Sequence, residues 1–254
     1  MELSGNAAII TGGGSGLGRE TARTLAAQGV KVSVIDISAE AVAAVAAEIG
    51  GLGIVCDVSD ANALAAAIAE AKAAHGVARI AVACAGICPA ARVVGREGPM
   101  PLDDFAKVIA VNLIGSFNLI RLAAADMTQA EVVDADQQRG VIITTASVAA
   151  TDGQIGQAAY SASKGGVVGM TLPIARELAR FGVRIMSISP GIMATPLLTN
   201  MPQNVQDSLN ASVPFPARMG DPKEYARLVC HIVENDYLNG SEIRLDGAIR
   251  MKEK

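Results

Sequence analysis

Seven short apolar runs alternate with Ala-rich stretches of helical pattern, and this alternation limits the fold more than any other feature of the chain. The strand candidates are Ala7 to Thr11, Lys31 to Ile35, Gly53 to Cys56, Arg79 to Ala83, Val141 to Thr145, Val183 to Ile188 and Glu242 to Leu245. Between them lie helical stretches such as Gly16 to Gln28, Ala39 to Ile49, Asp60 to Ala74, Leu102 to Met127 and Ala158 to Phe181. A helix between successive strands is a crossover connection, so the pattern predicts an α/β protein with a parallel sheet and helices on both faces. Right-handed crossovers then make the sheet doubly wound. With 51% hydrophobic and only 3% aromatic residues and no Trp, the core must be built from Ala, Val, Ile and Leu, as buried parallel strands prefer.

No linker or repeat divides the 254 residues, and one large domain accommodates them. Lys and Arg are scattered over a chain of formal charge −4, which argues against a nucleic-acid partner. Cys56, Cys84, Cys88 and Cys230 lack metal-ligand spacing, so no metal is expected and a reducing, cytoplasmic setting is. No targeting segment is visible, and no apolar run of the length of a membrane span, so no membrane is expected.

Two segments break the rhythm. The polar, acidic stretch Thr128 to Arg139 reads as a surface loop. Ile192 to Met219 carries four prolines and a set of apolar residues, including Met193, Leu197, Leu198 and Phe215. It leaves the carboxyl edge of the sheet, where ligands bind, and is expected to be a flap over a substrate pocket. The plain alternative is a helical excursion packed on a neighbouring subunit.

The first strand runs into Thr11-Gly12-Gly13-Gly14-Ser15-Gly16-Leu17-Gly18, which gives G-x-x-x-G-x-G through Gly12, Gly16 and Gly18. Glycines there let the backbone turn tightly and approach a pyrophosphate, and the helix that follows offers its free N–H groups. The second strand ends beside Asp36, 20 residues after Gly16, where a carboxylate can accept hydrogen bonds from the adenosine ribose. The same carboxylate repels a 2′-phosphate, so NAD is expected over NADP. Asp36 as a helix cap is the alternative, with Ser38 its rival for that task. Asp57 and Val58, after the third strand, suit the adenine ring equally well as they suit a turn.

Tyr160-Ser161-Ala162-Ser163-Lys164 is the strongest chemical signal. Residues four apart share a helix face, and a nearby ammonium favours a phenolate. Lowering a phenol from about 10 to neutrality takes about 4 kcal/mol, and Lys164 together with an oxidised nicotinamide is expected to supply it. Ser147 ends the fifth strand and can donate to a substrate oxygen; its alternative is a helix cap. Asn112, inside a helical stretch, can hold a water that connects Lys164 to solvent; its alternative is a packing contact.

These residues together resemble the short-chain dehydrogenase/reductase family over nearly the whole chain. Thr11-Gly12 to Gly18, Asn112, Ser147, Tyr160-x-x-x-Lys164 and Pro190-Gly191 match its motifs in order and spacing. The resemblance implies a Rossmann-type doubly wound seven-stranded sheet, a homotetramer, Tyr160 as general acid/base, Lys164 on the nicotinamide ribose, Ser147 orienting substrate and Asn112 in a proton relay. It also divides the domain into a cofactor-binding half, residues 1–145, and a catalytic and substrate half, residues 146–254, with the flap at 192–219.

The second half resembles more narrowly the type 2 3-hydroxyacyl-CoA dehydrogenase branch. Arg139 to Ile143, Thr145 to Ala150, Gly156 to Tyr160, Thr171 to Arg176, Val213 to Pro216 and Leu245 to Met251 carry the likeness. That likeness implies NAD contacts at Ser15, Leu17, Asp36, Asp57, Val58, Cys84, Tyr160, Lys164, Met193 and Thr195. Ala85, Gly86 and Pro190 complete the set. It also implies oxidation of an (S)-3-hydroxyacyl-CoA, with Gln154 shaping the substrate site or serving as an ordinary loop residue. No CoA-binding cluster is visible, so the acyl-CoA rests on the resemblance. Hydroxysteroids or simple secondary alcohols are the nearest alternative substrates, and a catalytically idle scaffold is the alternative of another class. The chain departs from the family at Ala83-Cys84-Ala85-Gly86, where Asn-Asn-Ala-Gly is frequent, and Cys88 to Asp104 resembles the branch poorly.

Overall fold

The computed structural model describes residues 1–253, with Leu197 described in its backbone alone. Seven parallel strands form the main sheet: β1 (Ala7–Thr11), β2 (Lys31–Asp36), β3 (Leu52–Val55), β4 (Ala78–Ala83), β7 (Gly140–Thr145), β8 (Val183–Pro190) and β9 (Glu242–Leu245). A two-stranded hairpin of β5 (Val94–Gly95) and β6 (Gly98–Pro99) stands apart. The sheet order is β3-β2-β1-β4-β7-β8-β9, so the chain winds outward one way from β1 and then the other way from β4. The carboxyl ends of β1 and β4 therefore flank a topological switch point, where a crevice opens.

Period-two alternation sends successive side chains of each strand to opposite layers. Ala8 and Ile10 of β1, with Val32 and Val34 of β2, pack on α1 (Gly16–Ala27) and α2 (Ala39–Ile49). Ile9 and Ile35 face the other way, onto α3 (Ala61–His75). On that same side, Ile142 and Ile185 meet α5 (Gly115–Thr128) and α6 (Ala158–Leu178). The remaining helices are α4 (Leu102–Ile109), α7 (Pro196–Thr199), α8 (Gln203–Ser212) and α9 (Pro222–Glu234), the last of which covers the α1 layer.

The expected elements form, with ends moved by a residue or two. β8 continues to Pro190 because Pro190 still pairs with Leu245 of β9. Leu102 to Thr128 is continuous, but a π-helical turn, Ala110–Ile114, joins α4 to α5. By length and composition this 27-residue stretch could cross a bilayer, yet half of its most apolar window is buried in the domain. Its Leu119, Ile120, Ala123 and Met127 face the sheet, which accounts for the hydropathy. Thr128 closes α5, and the segment from 129 to 139 is an exposed loop except for the buried Gln138 and the half-buried Ala130, Asp134 and Arg139. Residues 192–219 hold two short helices, α7 and α8, with Phe215 exposed and Met193, Val213 and Met219 buried.

Candidate active site

The crevice at the switch point is lined by the glycine turn. Gly12 has φ +66°, and a Cβ on it would stand 2.6 Å from the backbone nitrogen of Ala85. Only glycine allows β1 and β4 to run on this close together. Gly16, at φ +51°, would direct a Cβ to within 3.3 Å of Thr195 Cγ2, which places Thr195 against the glycine turn. Gly18 lies so near the Gly12 carbonyl that no Cβ fits between them. Ser15 precedes α1 without a side-chain cap, and no acidic residue sits in the first turn. The N–H groups of Gly16, Leu17 and Gly18 are therefore left for an anion, and the dipole of α1 favours one.

Asp36 ends β2 and reaches this turn. Its Oδ2 accepts from the Gly14 N–H at 3.0 Å and its Oδ1 from Ser38 N–H at 3.2 Å. Ser38, not Asp36, caps α2, with its hydroxyl accepting from Ala41 N–H. Asp57 is exposed, and its Oδ1 takes the Ser59 N–H and hydroxyl in the turn before α3. Val58 is buried, close enough to Gly115 that a Cβ there would meet its Cγ2 at 2.7 Å. Pro190 closes β8, Met193 is buried and bridged to Gly220, and Thr195 precedes α7. These groups fit a dinucleotide: a cradle that any Cβ would fill, an uncapped helix start and a carboxylate at the rim.

Tyr160 and Lys164 share the crevice face of α6, with Lys164 Nζ 5.7 Å from the centre of the Tyr160 ring. Lys164 is only 4% exposed, and its ammonium donates to the Thr145 carbonyl at 2.7 Å. Burial pulls the lysine down to about 8, against the opposing pull of the Cys84 and Cys88 thiols. Burial pushes the Tyr160 phenol up to about 12, while the neighbouring Ser147 hydroxyl works the other way. The expectation joined Lys164 to an oxidised nicotinamide; in the chain alone the lysine does not hold the phenol low. Desolvation outweighs an ammonium that is committed to a carbonyl and stands off the ring. In the chain by itself Tyr160 carries its proton at neutral pH.

Asn112 occupies the π turn, a distortion that turns side chains off the regular helix face. Its Oδ1 accepts from Ile87 N–H at 2.8 Å, and its Nδ2 donates to Ile87 O and to Ser163 Oγ. The amide is thus a clamp on the segment that leaves β4, and both its donors are spent within the protein. Beside it, a Cβ on Gly86 would sit 3.2 Å from Asn112 Oδ1 and 3.5 Å from Lys164 Nζ. Gly86 therefore leaves one small space between the amide oxygen and the ammonium, with Ala85 and Cys84 leading into it. Ser147 starts a 3₁₀ turn, Val148–Ala150, and accepts from Ala149 N–H at 3.1 Å.

Gln154 does not join the group. Its Nε2 donates to the Lys252 carbonyl at 3.1 Å, tying down the carboxyl-terminal segment. It lines an open cavity of about 630 Å³ with Val93, Val94, Ala149 and Ser161, and Tyr160 is not part of that lining.

Two features escape a reading of the sequence. Arg244 binds Asp152 at 2.6 Å, Asp246 at 2.8 Å and the Thr151 hydroxyl at 2.9 Å, fastening the end of β9 to the loop after Ser147. Tyr225, wholly buried on α9, pairs its hydroxyl with Thr145 Oγ1 at 2.7 Å. In sequence Tyr225 reads as one more apolar-face position of an amphipathic helix, and nothing local announces a partner for its hydroxyl.

The sheet, the crevice and the Tyr–Lys pair define an oxidoreductase of the nicotinamide-dependent kind. A model of the short chain dehydrogenase family matches residues 6–206, and the chain belongs to that family. The human protein called 3-hydroxyacyl-CoA dehydrogenase type-2 is 51% identical over 254 residues, covering 98% of this chain and 97% of its own. The human (3R)-3-hydroxyacyl-CoA dehydrogenase is 34% identical over 259 residues, with 96% and 95% covered. Among solved structures, the crystal structure of 3-hydroxyacyl-CoA dehydrogenase type-2 from Mycobacterium avium superposes with a TM-score of 0.94 at 39% identity, covering 98% of both chains.

Proposed function

We propose that this chain is an NAD-dependent 3-hydroxyacyl-CoA dehydrogenase that interconverts an (S)-3-hydroxyacyl-CoA and the 3-ketoacyl-CoA. The observation that carries the proposal is the 51% identity to a type-2 enzyme over almost the full length of both chains. When bound in the crevice, the nicotinamide supplies the hydride acceptor or donor. The chain's own residues manage the proton. Toward the alcohol, the protonated Tyr160 phenol gives its proton to the carbonyl oxygen as that oxygen gains charge. In the oxidative direction the hydroxyl proton returns to Tyr160. Ser147 donates to the same oxygen and fixes its place. Lys164 holds the nicotinamide ribose and, through a water in the space beside Gly86 and Asn112, exchanges protons with solvent.

For the cofactor we assign NAD, supported by Asp36 at the rim of the glycine turn. Gly12, Ser15 to Gly18, Asp57, Val58, Cys84 to Gly86, Pro190, Met193 and Thr195 form the rest of its site. Residues 1–145 serve the cofactor and 146–254 the substrate, with 192–219 closing over it. The four thiols are free, which supports a reducing, cytoplasmic setting. The homotetramer is supported by exposed Ile114, Phe117 and Leu172 on α5, its leading turn and α6.

The test is reduction of acetoacetyl-CoA with NADH and with NADPH, beside a steroid ketone and a simple ketone. The proposal predicts turnover of the thioester with NADH preferred by at least about tenfold, because a carboxylate facing a phosphate repels it. Asp36→Ala is expected to erase most of that preference. Equal rates with both cofactors would overturn the NAD assignment, and activity confined to the steroid or simple ketone would overturn the acyl-CoA.

A further inference from the structure

Three side chains meet beneath Lys164, from three elements that are far apart in sequence. Thr145 is the last residue of β7, and its carbonyl accepts the Lys164 ammonium at 2.7 Å. Its hydroxyl lies 2.7 Å from the Tyr225 hydroxyl and 3.5 Å from Cys84 Sγ, and the Tyr225 hydroxyl lies 3.6 Å from the same sulfur. The strand register ends here as well: Ala146 N–H still donates to Ile188 O at 2.8 Å, while the Thr145 carbonyl turns away to the lysine.

The Tyr225 hydroxyl is unexplained by packing. It is 0% exposed in the apolar cluster that also holds Ile10, Val82 and Val229, where Phe would fill the same space without a polar atom to satisfy. A threonine rotamer is stiff, so a partner that holds Oγ1 also restricts the residue's own backbone. The partner arrives on α9, which opens with a capping box at Asp221 and Glu224 and a bidentate Arg218–Glu224 pair. These contacts make Tyr225 a rigid post.

We propose that Tyr225 is a positioning residue for Lys164, acting through Thr145: its hydroxyl holds the end of β7 so that the Thr145 carbonyl stays on the ammonium. The ring of Cys84, Thr145 and Tyr225 ties the chain just past β4 to the end of β7. The titratable groups facing Lys164 are Tyr160 on its own helix, Cys84 at the end of β4 and Cys88 beyond it, with Tyr225 behind Thr145. A buried ammonium that loses its carbonyl acceptor loses stabilisation of its charged form, so its titration moves down.

The kinetic arm of the test rests on the proposed function; the titration arm does not. Lysine-labelled full-length protein is titrated by NMR, with the Lys164 signal assigned through Lys164→Arg. In Tyr225→Phe the Lys164 midpoint is expected to fall by about 0.5 pH units or more. Thr145→Val should reproduce the shift, Thr145→Ser, which keeps the hydroxyl but not the stiff rotamer, should shift less than Thr145→Val, and the double variant of Tyr225→Phe with Thr145→Val should add nothing to either single one. With acetoacetyl-CoA and NADH, kcat should fall about tenfold in the shifted variants while KM for the thioester holds, as expected for a misplaced catalytic group. An unmoved Lys164 midpoint in folded Tyr225→Phe or Thr145→Val overturns the inference, even if the melting temperature drops. A wild-type enzyme inert toward acetoacetyl-CoA overturns the substrate reading and leaves the titration to decide the role of Tyr225.

Discussion

Tyr160 and Lys164 are pushed in opposite directions by one cause. Burial raises the phenol to about 12 and lowers the ammonium to about 8, so each is driven toward its neutral form. The resting pair at neutral pH is a protonated phenol beside a largely charged lysine. That is the state needed to protonate a carbonyl. Lys164 has its folded value below the ordinary lysine value, so its charge is present below about 8 and is lost as pH rises through it. The kcat/KM for NADH, which reports groups of the free enzyme, is therefore expected to decline above about pH 8. Lys164→Arg should remove that alkaline limb while lowering the rate, and a flat profile to pH 10 in wild type would contradict the assignment. At the glycine turn, Gly12→Ala is expected to cost on the order of 2 kcal/mol, from positive φ and a backbone collision. Thermal unfolding checks the cost, and NADH titration should show at least a tenfold weaker affinity. At this scale the sequence was informative where spacing encodes proximity, as with Tyr160 and Lys164 four apart. It was uninformative about the phenol's pKa in the chain alone, because burial and neighbours such as Ser147 and Cys88 depend on how distant segments come together.

Elements set where these residues stand. The π turn at Ala110–Ile114 turns Asn112 into its clamp on Ile87 and Ser163. A helix from Leu102 to Met127 is legible in the sequence, but its π turn is not, since the apolar spacing runs on through it. The β5–β6 hairpin is too short and too exposed to leave a pattern at all. The Arg244 clasp is a second element-scale device. It joins β9 to the Thr151–Asp152 loop, and its guanidinium holds the Asp152 carboxyl below the usual carboxylate range. Arg244→Ala leaves two carboxylates, Asp152 and Asp246, without their shared partner. The expected loss is about 1–3 kcal/mol in denaturant unfolding, with Asp152→Asn losing less. The clasp restrains the loop after Ser147, so KM for the acyl-CoA should rise in the same variants. Unchanged stability and KM in Arg244→Ala would remove it from the account.

At the scale of the molecule, all seven sheet strands lie where the sequence runs announce them; the central strands β1, β7 and β8 are buried along their whole length, as a covered parallel sheet requires, while the edge strands β3 and β9 are only partly buried. That the sheet is doubly wound was legible through the crossover rule; the strand order, and with it the crevice between β1 and β4, is seen only in the structure. The tie from the Gln154 amide to the Lys252 carbonyl was not legible, because a loop glutamine looks the same in sequence whatever it bonds. The proposed tetramer makes its own prediction. Exposed Phe117 and Leu172 sit on neighbouring helices, and Phe117→Lys is expected to shift the light-scattering mass of the purified protein to a smaller species. A monomeric wild type would contradict it. The central claim is that a phenol on α6 delivers the proton to a 3-ketoacyl thioester. The rate of NADH oxidation with acetoacetyl-CoA, in wild type and in Tyr160→Phe, tests it most directly. Wild type should turn over, and the variant should lose about 1,000-fold in kcat, within the range of a lost general acid, while still binding NADH. A Tyr160→Phe enzyme within a few-fold of the wild-type rate would contradict the account.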